Sequence, residues 1–338
     1  MIRSKIVRLI SLASVVVMAN LGGLGRTTVA APARAGTTLS LVAYSTPQQA
    51  YGQLIPAFQA TAAGKDVSFH ESFGASGSQS QLVAQGLPAD VVEFSLEPDM
   101  GRLVNAGIVS ANWYKNAYHG FVTDSAVVFG VRPGNPKHIH TWADLIRAGV
   151  SVLTPNPFTS GGARWNVMAA YGAMIKQHKT RAQALAYLRQ LFRHVAVQDD
   201  SARHELQTFD AGKGDVMLAY ENDMITAKAS GEKLDWIMPP QTILIENPLA
   251  WTLSSKSPNQ ARAFVKWLWS PAAQQIWGQN GYWPVVPSVR KHFSFTRPKT
   301  TLFTIRDFGT WTKVQKTFFD PATGLMVDIE KTAGSAAP

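Results

Sequence analysis

The stretch NPFTSGGARWN, residues 156–166, sets a proline, a Thr-Ser pair and two glycines where a helix begins. Before it, VSVLTPNP (150–157) reads as a strand broken by two prolines. After it, Val167, Tyr171 and Met174 recur at helical spacing on one face. A strand that turns at once into a long helix is the repeating unit of an α/β fold. The glycines need a reason, because each lowers helix propensity by roughly 1 kcal/mol relative to Ala. Either Ser160 caps the helix and the glycines ease a tight turn, or bare backbone N–H groups must come close to an anion.

Working outward, strand-like and helix-like segments alternate almost throughout. Upstream lie a strand at 38–43, a helix opened by Thr46-Pro47 as N-cap and first helical residue, and a strand at 67–72 ending in the turn FGASGSQ. ADVVEFS reads as a short buried strand and FVTDSAVVFGVRP as a longer one, and TWADLIRAG as a short helix capped by Thr141. Downstream come an amphipathic helix at 181–192, the strand VAVQD, the helix SARHELQTFDAG and the strands DVMLAYEN and NPLAWTLS. Two short helices separated at Ser270-Pro271 follow, then a helix near 307–318 and a loose tail, TAGSAAP. No low-complexity linker interrupts this order, so the chain is expected to cross between two lobes more than once.

The first 35 residues differ from the rest. Arg3, Lys5 and Arg8 precede an apolar run from Leu9 to Met18, and small residues end in Ala33-Arg34-Ala35. This is the pattern of an export leader cleaved after Ala35, and the apolar run falls short of the roughly 20 residues that span a bilayer. The 338-residue chain carries 32 basic and 22 acidic residues; without the leader's five basic residues it keeps 27 against 22, a net charge of +5. No mature segment forms a Lys/Arg block, so nucleic acid is not an expected partner. Cysteine is absent, which excludes a thiolate metal site, a Cys nucleophile and a lipid-modified N-terminal Cys. The expected product is a free periplasmic protein without a lipid anchor.

Enzyme constellations are thin. His138 and His140 could seed a metal site, and Glu221 and Asp223 flank Asn222 at a strand end as a carboxylate pair. A solvated loop and capping carboxylates account for both equally well. Neither a nucleophile elbow nor a phosphate loop occurs, and GASGSQ has the wrong glycine spacing for a dinucleotide fingerprint. A secreted hydrolase using Glu221 or His204 lacks a nucleophile–base pair, and no metal or cofactor is expected. What repeats is a strand ending where small or hydroxyl residues open a helix, at Ser45-Thr46, Ala75-Ser76, Ser160-Gly161-Gly162 and Ser201-Ala202. Each such end offers unpaired N–H groups and the positive end of a helix dipole.

Over essentially the whole mature chain the sequence resembles the periplasmic sulfate-binding proteins of ATP-driven sulfate/thiosulfate importers. The resemblance is densest in GNPKHIHTWADLIRAGVSVLTPNPFTSGGARWN and continues through DSAR, GKGDVMLAYEN and LFTI. It implies a two-lobed periplasmic-binding-protein fold of type II, with mixed sheets and a hinge of two crossover strands. Lobe 1 is expected over 37–118 and 246–338, and lobe 2 over 119–245. It also implies a monomer that delivers its anion to membrane permease subunits of an ABC importer. Ser76, Ser160, Gly161, Gly162 and Ala202 fall on the family's donor positions, and Arg164 is expected to support the site rather than touch the ligand. Two positions depart: Ser45 stands where the family usually has Asp, and Tyr220 where it has an indole donor. A phenol can accept as well as donate. Sulfate offers only acceptors and suits a donor-only cleft, whereas phosphate near neutrality carries a proton. Thiosulfate, molybdate and phosphate are the rival ligands.

Overall fold

A computed structural model describes residues 36–293 and 300–334. The export leader expected at 1–35 and the end of the expected tail lie outside those residues. The eleven strands of the described chain are β1 (Thr37–Tyr44), β2 (Val67–Gly74), β3 (Val91–Glu93), β4 (Phe121–Val131), β5 (Val152–Leu153), β6 (Val195–Val197), β7 (Val216–Tyr220), β8 (Asp235–Ile237), β9 (Gln241–Trp251), β10 (Trp283–Pro284) and β11 (Thr301–Phe303). The helices that concern the site are α1 (Gln48–Gln59), α2 (Ser76–Ala84), α3 (Glu97–Asn105), α4 (Gly161–Lys176), α5 (Arg181–Arg193), α6 (Ala202–Asp210) and α7 (Glu221–Ala229).

The sheet order β2-β1-β3-β9-β4-β7-β5-β6 is mixed. β1 pairs in parallel with β2 and β3, and β5 in parallel with β6 and β7. Between these sets run two long antiparallel strands. β4 pairs with β9 through residues 121–126 and with β7 through 127–131, while β9 reaches β3 through 249–251. β9 therefore joins the first set and β4 the second, and their pairing with each other links the two, which is the expected crossover arrangement of a mixed α/β fold.

One apolar cluster gathers Leu39, Leu41, Tyr51, Phe58, Phe264 and Trp277 around β1 and α1, and a larger one surrounds α4 and α5. Helix α4 was expected to bury one face; instead every residue from Gly161 to Met174 is buried. Its small residues and near-continuous apolarity leave no face suited to water. The short helix at 142–146 has the expected Thr141 cap, with Asp144 closing a capping box. Pro56 does not end α1, which continues to Gln59, and Pro47 rather than Thr46 occupies its N-cap position.

The sequence reading kept everything after Glu246 with the first lobe, but the end of the chain returns to the other core. Phe303, Trp311, Phe318 and Met326 join the α4–α5 cluster, and the Trp311 and Trp165 rings meet edge-on at 4.7 Å. A helix at Leu325–Ala333, unforeseen in the sequence, packs on α5. The apolar faces of these elements find their complement beside α4, which overrides their position in the chain.

One buried charge is unusual. Glu93 at the end of β3 is fully buried, accepts the Tyr51 hydroxyl on Oε2, and has no protein partner for Oε1 among the described residues. Burial pushes its carboxyl from an ordinary 4.5 up to about 8. The folded chain thus holds this proton more tightly than the unfolded chain. The associated stability is fully present below about pH 4.5 and is lost as pH rises towards about 8. Glu93→Gln, which mimics the protonated form, should flatten the decline between those pH values and raise the melting temperature at pH 8 by on the order of 5–10 °C. Identical melting-temperature profiles against pH for parent and variant would rule out the buried acid as their cause.

Candidate functional site

The carboxyl ends of six parallel strands converge on one small cavity. Tyr44, Ser45 and Thr46 follow or end β1, Ala75 and Ser76 follow β2, and Ser95 follows β3. From the other set come Ser160 and Gly162 after β5, Ala202 after β6, and Tyr220 at the end of β7. In open α/β sheets this is the edge where ligands bind. No Lys, Arg, His, Asp or Glu lines the cavity. Its volume of about 10 Å³ is close to what one water needs, so a tetrahedral oxyanion would enter only as the lining draws apart. A pocket of about 200 Å³ adjoins it and shares Ser45, Thr46 and Ala202. A larger groove of about 880 Å³, lined partly by Glu97, Trp113 and Arg306, shares none of these residues.

Three helices begin at the cavity: α2 at Ser76, α4 at Gly161 and α6 at Ala202. The first N–H groups of each helix have no intrahelical acceptor, and they carry the positive end of the dipole. Ser160 caps α4, its Oγ accepting the Ala163 N–H at 3.3 Å, so its own hydroxyl hydrogen remains to be donated. Ser201 caps α6 in the same way through His204 N–H. Ser76 behaves differently. Its hydroxyl donates to Asp99 Oδ2 at 2.7 Å and accepts the Ser95 N–H at 3.0 Å, so its side chain is committed to the scaffold. What Ser76 offers the cavity is backbone.

The two glycines of the opening stretch divide the work. A Cβ on Gly162 would stand in the cavity, 3.5 Å from Ser160 Oγ and 3.6 Å from Tyr220 Cε1, in ordinary contact. A Cβ on Gly161 would strike Ser95 Oγ at 2.5 Å and Leu96 at 2.8 Å, and Gly161 is not among the lining residues. Gly162 keeps the cavity open, whereas Gly161 lets α4 approach the chain that follows β3. The expected site residues Ser45, Ser76, Ser160, Gly162, Ala202 and Tyr220 thus lie together, and Gly161 stands just behind them.

Arg164 is buried and points away from the cavity lining. Its Nε donates to the Pro157 carbonyl at 2.7 Å and its other nitrogens reach the Phe158 carbonyl and Gln315, with Asp99 at 3.8 Å. It fastens the loop that precedes α4. Trp165 Nε1 and Asn247 Nδ2 both donate to the Ser95 carbonyl, at 2.8 and 3.0 Å. Ser95 Oγ lies 2.6 Å from the Tyr220 hydroxyl. Burial holds the Tyr220 phenol far above its ordinary range, so it is a neutral hydroxyl. Burial also pushes Asp223, which accepts the Thr46 hydroxyl at 3.2 Å, up to about 7.

Sequence reasoning missed Ser95 and Asn247. For Ser95 a clue was available, since ADVVEFS followed by LEPDM repeats the strand-end, helix-start pattern seen at the other turns. Asn247, in the middle of a crossover strand, gave none. Of the residues raised for other chemistry, Asp223 stands behind the lining through Thr46, and the others lie elsewhere. Glu221 accepts the Trp283 indole N–H at 2.7 Å, and His204 pairs with Asp200 at 2.5 Å on an exposed surface. His138 sits in a turn with φ 50°, and among the described residues no cluster of three His, Asp or Glu side chains could hold a metal.

The family model of bacterial extracellular solute-binding proteins matches residues 39–283. A sulfate-binding protein of Synechococcus elongatus is 38% identical over 291 residues, covering 83% of each chain. A thiosulfate-binding protein of Pseudomonas aeruginosa is 33% identical over 300 residues, covering 85% of this chain and 90% of its own. Among solved structures, the sulfate-binding protein SubI of Mycobacterium tuberculosis superimposes with a TM-score of 0.82 at 41% identity, covering 84% of this chain and 100% of its own. The chain belongs to the bacterial extracellular solute-binding proteins, in the group formed by the sulfate-binding proteins.

Proposed function

We propose that this protein captures sulfate, or the related thiosulfate, in the cavity at the strand ends and delivers it to the permease subunits of an ATP-driven importer. One observation carries the reading: three helix starts and the Ser160 hydroxyl meet at a buried space lined by no ionised side chain. Such a space suits an anion that offers only acceptors, held by dipoles rather than countercharge. The backbone N–H groups at Ser76, Gly161, Gly162 and Ala202, with the Ser160 and Tyr220 hydroxyls, serve as donors, and Ser45 lies at the rim. The likeness to sulfate- and thiosulfate-binding relatives supports the same choice.

The protein works outside the cytoplasm, as a periplasmic monomer released from its leader. It catalyses no reaction. Its lobes are the half carrying β1–β3 and the half carrying β5–β7, with the C-terminal segment from Thr301 on the second, and β4 and β9 form the hinge. An anion that touches both lobes favours the closed state, which the importer reads.

Millimolar sulfate should raise the melting temperature of the mature protein, as a native-state ligand must. Ser160→Ala should weaken sulfate binding by about 10- to 150-fold through loss of one donor to a buried anion, as measured by calorimetric titration. No thermal shift with sulfate, together with unchanged binding in Ser160→Ala, would place the ligand elsewhere.

The glycines provide a second, sharper contrast. Gly162→Ala should fold as well as the parent while losing sulfate affinity by on the order of 100-fold, because the added methyl occupies ligand space. Gly161→Ala should instead lower unliganded stability by roughly 1–3 kcal/mol, through its clash with Ser95. Equal behaviour of the two variants would contradict the division of roles.

Sulfate affinity should also fall as pH rises through about 7, where Asp223 ionises beside Thr46 and repels the anion. Asp223→Asn should remove that slope in titrations between pH 6 and pH 8; a slope that persists in the variant would exclude Asp223 as its source.

A further inference from the structure

Tyr220 and Ser95 form a hydroxyl pair inside the cavity lining, and its surroundings restrict how the two hydrogens can point. The Asn247 side chain is fixed because its Oδ1 accepts the Thr123 hydroxyl at 3.1 Å, which turns its Nδ2 hydrogens towards the Ser95 carbonyl and the Tyr220 phenol oxygen. One lone pair of the phenol is thereby occupied. Its hydrogen and its second lone pair remain for Ser95 Oγ, 2.6 Å away, and for the cavity. Ser95 is pinned through its backbone, the N–H held by Ser76 Oγ and the carbonyl by Trp165 and Asn247, so only its hydroxyl rotates.

Two arrangements satisfy every group. In one, Ser95 donates to Tyr220 and the phenol hydrogen faces the cavity. In the other, Tyr220 donates to Ser95, the serine hydrogen faces the cavity, and a phenol lone pair faces it as well. Ser76 and Thr46 lack this freedom, because they give their hydrogens to Asp99 and Asp223; the Ser160 oxygen accepts from Ala163 and keeps its hydrogen for the cavity.

We propose that the Ser95–Tyr220 pair is a reversible donor–acceptor pair that lets the cavity take monoprotonated tetrahedral oxyanions, of the hydrogen phosphate and hydrogen arsenate class, besides fully ionised ones. The inference rests on the anion-site reading above. A cavity of donors alone rejects such an ion because the anion's own hydrogen meets another hydrogen and stays unpaired. Here the second arrangement supplies that hydrogen with an acceptor, and no buried protein donor is stranded.

The test is calorimetric titration of the full mature chain with sulfate and with inorganic phosphate, at a pH where the monohydrogen form dominates. The parent should bind phosphate within about 100-fold of sulfate. Ser95→Ala removes the oxygen towards which the phenol hydrogen turns, leaving Tyr220 a donor only. Phosphate affinity should then fall at least about tenfold further than sulfate affinity does, so the phosphate-to-sulfate ratio drops. Tyr220→Trp, which installs a donor-only group without touching Ser95, should show the same selective loss. The melting temperature of each unliganded variant reports folding independently. A parent that binds sulfate but not millimolar phosphate overturns the inference, as does an unchanged phosphate-to-sulfate ratio in the folded variants. A parent that binds neither ion refutes the anion-site reading itself.

Discussion

An ion withdrawn from water must be met by polar groups already in place, because a loose set would have to order itself each time the ion arrived. Here the placement comes from parallel strand ends. β1–β3 and β5–β7 present their carboxyl ends to the same point from either side of β4 and β9, so the turns that leave them arrive together. Helices that start at those turns bring oriented N–H groups as a by-product of the winding. The position of the donors is therefore a property of the sheet, and the individual turn residues need only be small enough to leave the backbone uncovered.

The charges that this requires are kept one layer back. Asp99, fully buried, takes the Ser76 hydroxyl and faces Arg102 at 3.1 Å and Arg164 at 3.8 Å. Arg164 donates to the Pro157 and Phe158 carbonyls, which shape the entry to α4. A guanidinium in the cavity itself would attract any anion; one balanced by a carboxylate behind the lining stiffens the loop without setting the charge of the site. The neutral lining and the ionic support are two parts of one arrangement.

The fold was legible wherever local chemistry decided it. Thr141 and Ser160 cap the helices they were expected to cap, because a short polar side chain meets a backbone N–H within its own turn, whereas Thr46 yields its cap position to Pro47. The mixed sheet and its two crossover strands followed from the α/β alternation and the family resemblance. What stayed hidden depended on distant partners. The C-terminal segment reads as part of the first lobe until Trp311 is seen against Trp165, and the need for a bare Cα at Gly161 comes from Ser95, far away in the chain. In the sequence Gly161-Gly162 reads as one feature; its two members answer to different neighbours, and only tertiary structure separates them.

The ties between the two sets of strands carry a consequence for timing. Gly77 N–H donates to the Thr159 carbonyl at 3.0 Å, and the Trp165 indole reaches the Ser95 carbonyl, so α2 and the chain after β3 are bonded directly to the approach and first turn of α4. These bonds need no anion. If the two halves open and close as proposed above, each bond lowers the free energy of the shut form whether the cavity is filled or empty, and so raises the background of shut, empty molecules. A transporter that responded to shape alone would turn over on that background. The discrimination between loaded and empty carriers then depends on how much longer the loaded one stays shut, a difference in dwell time set by the cavity's own contacts and diluted by every bond outside it.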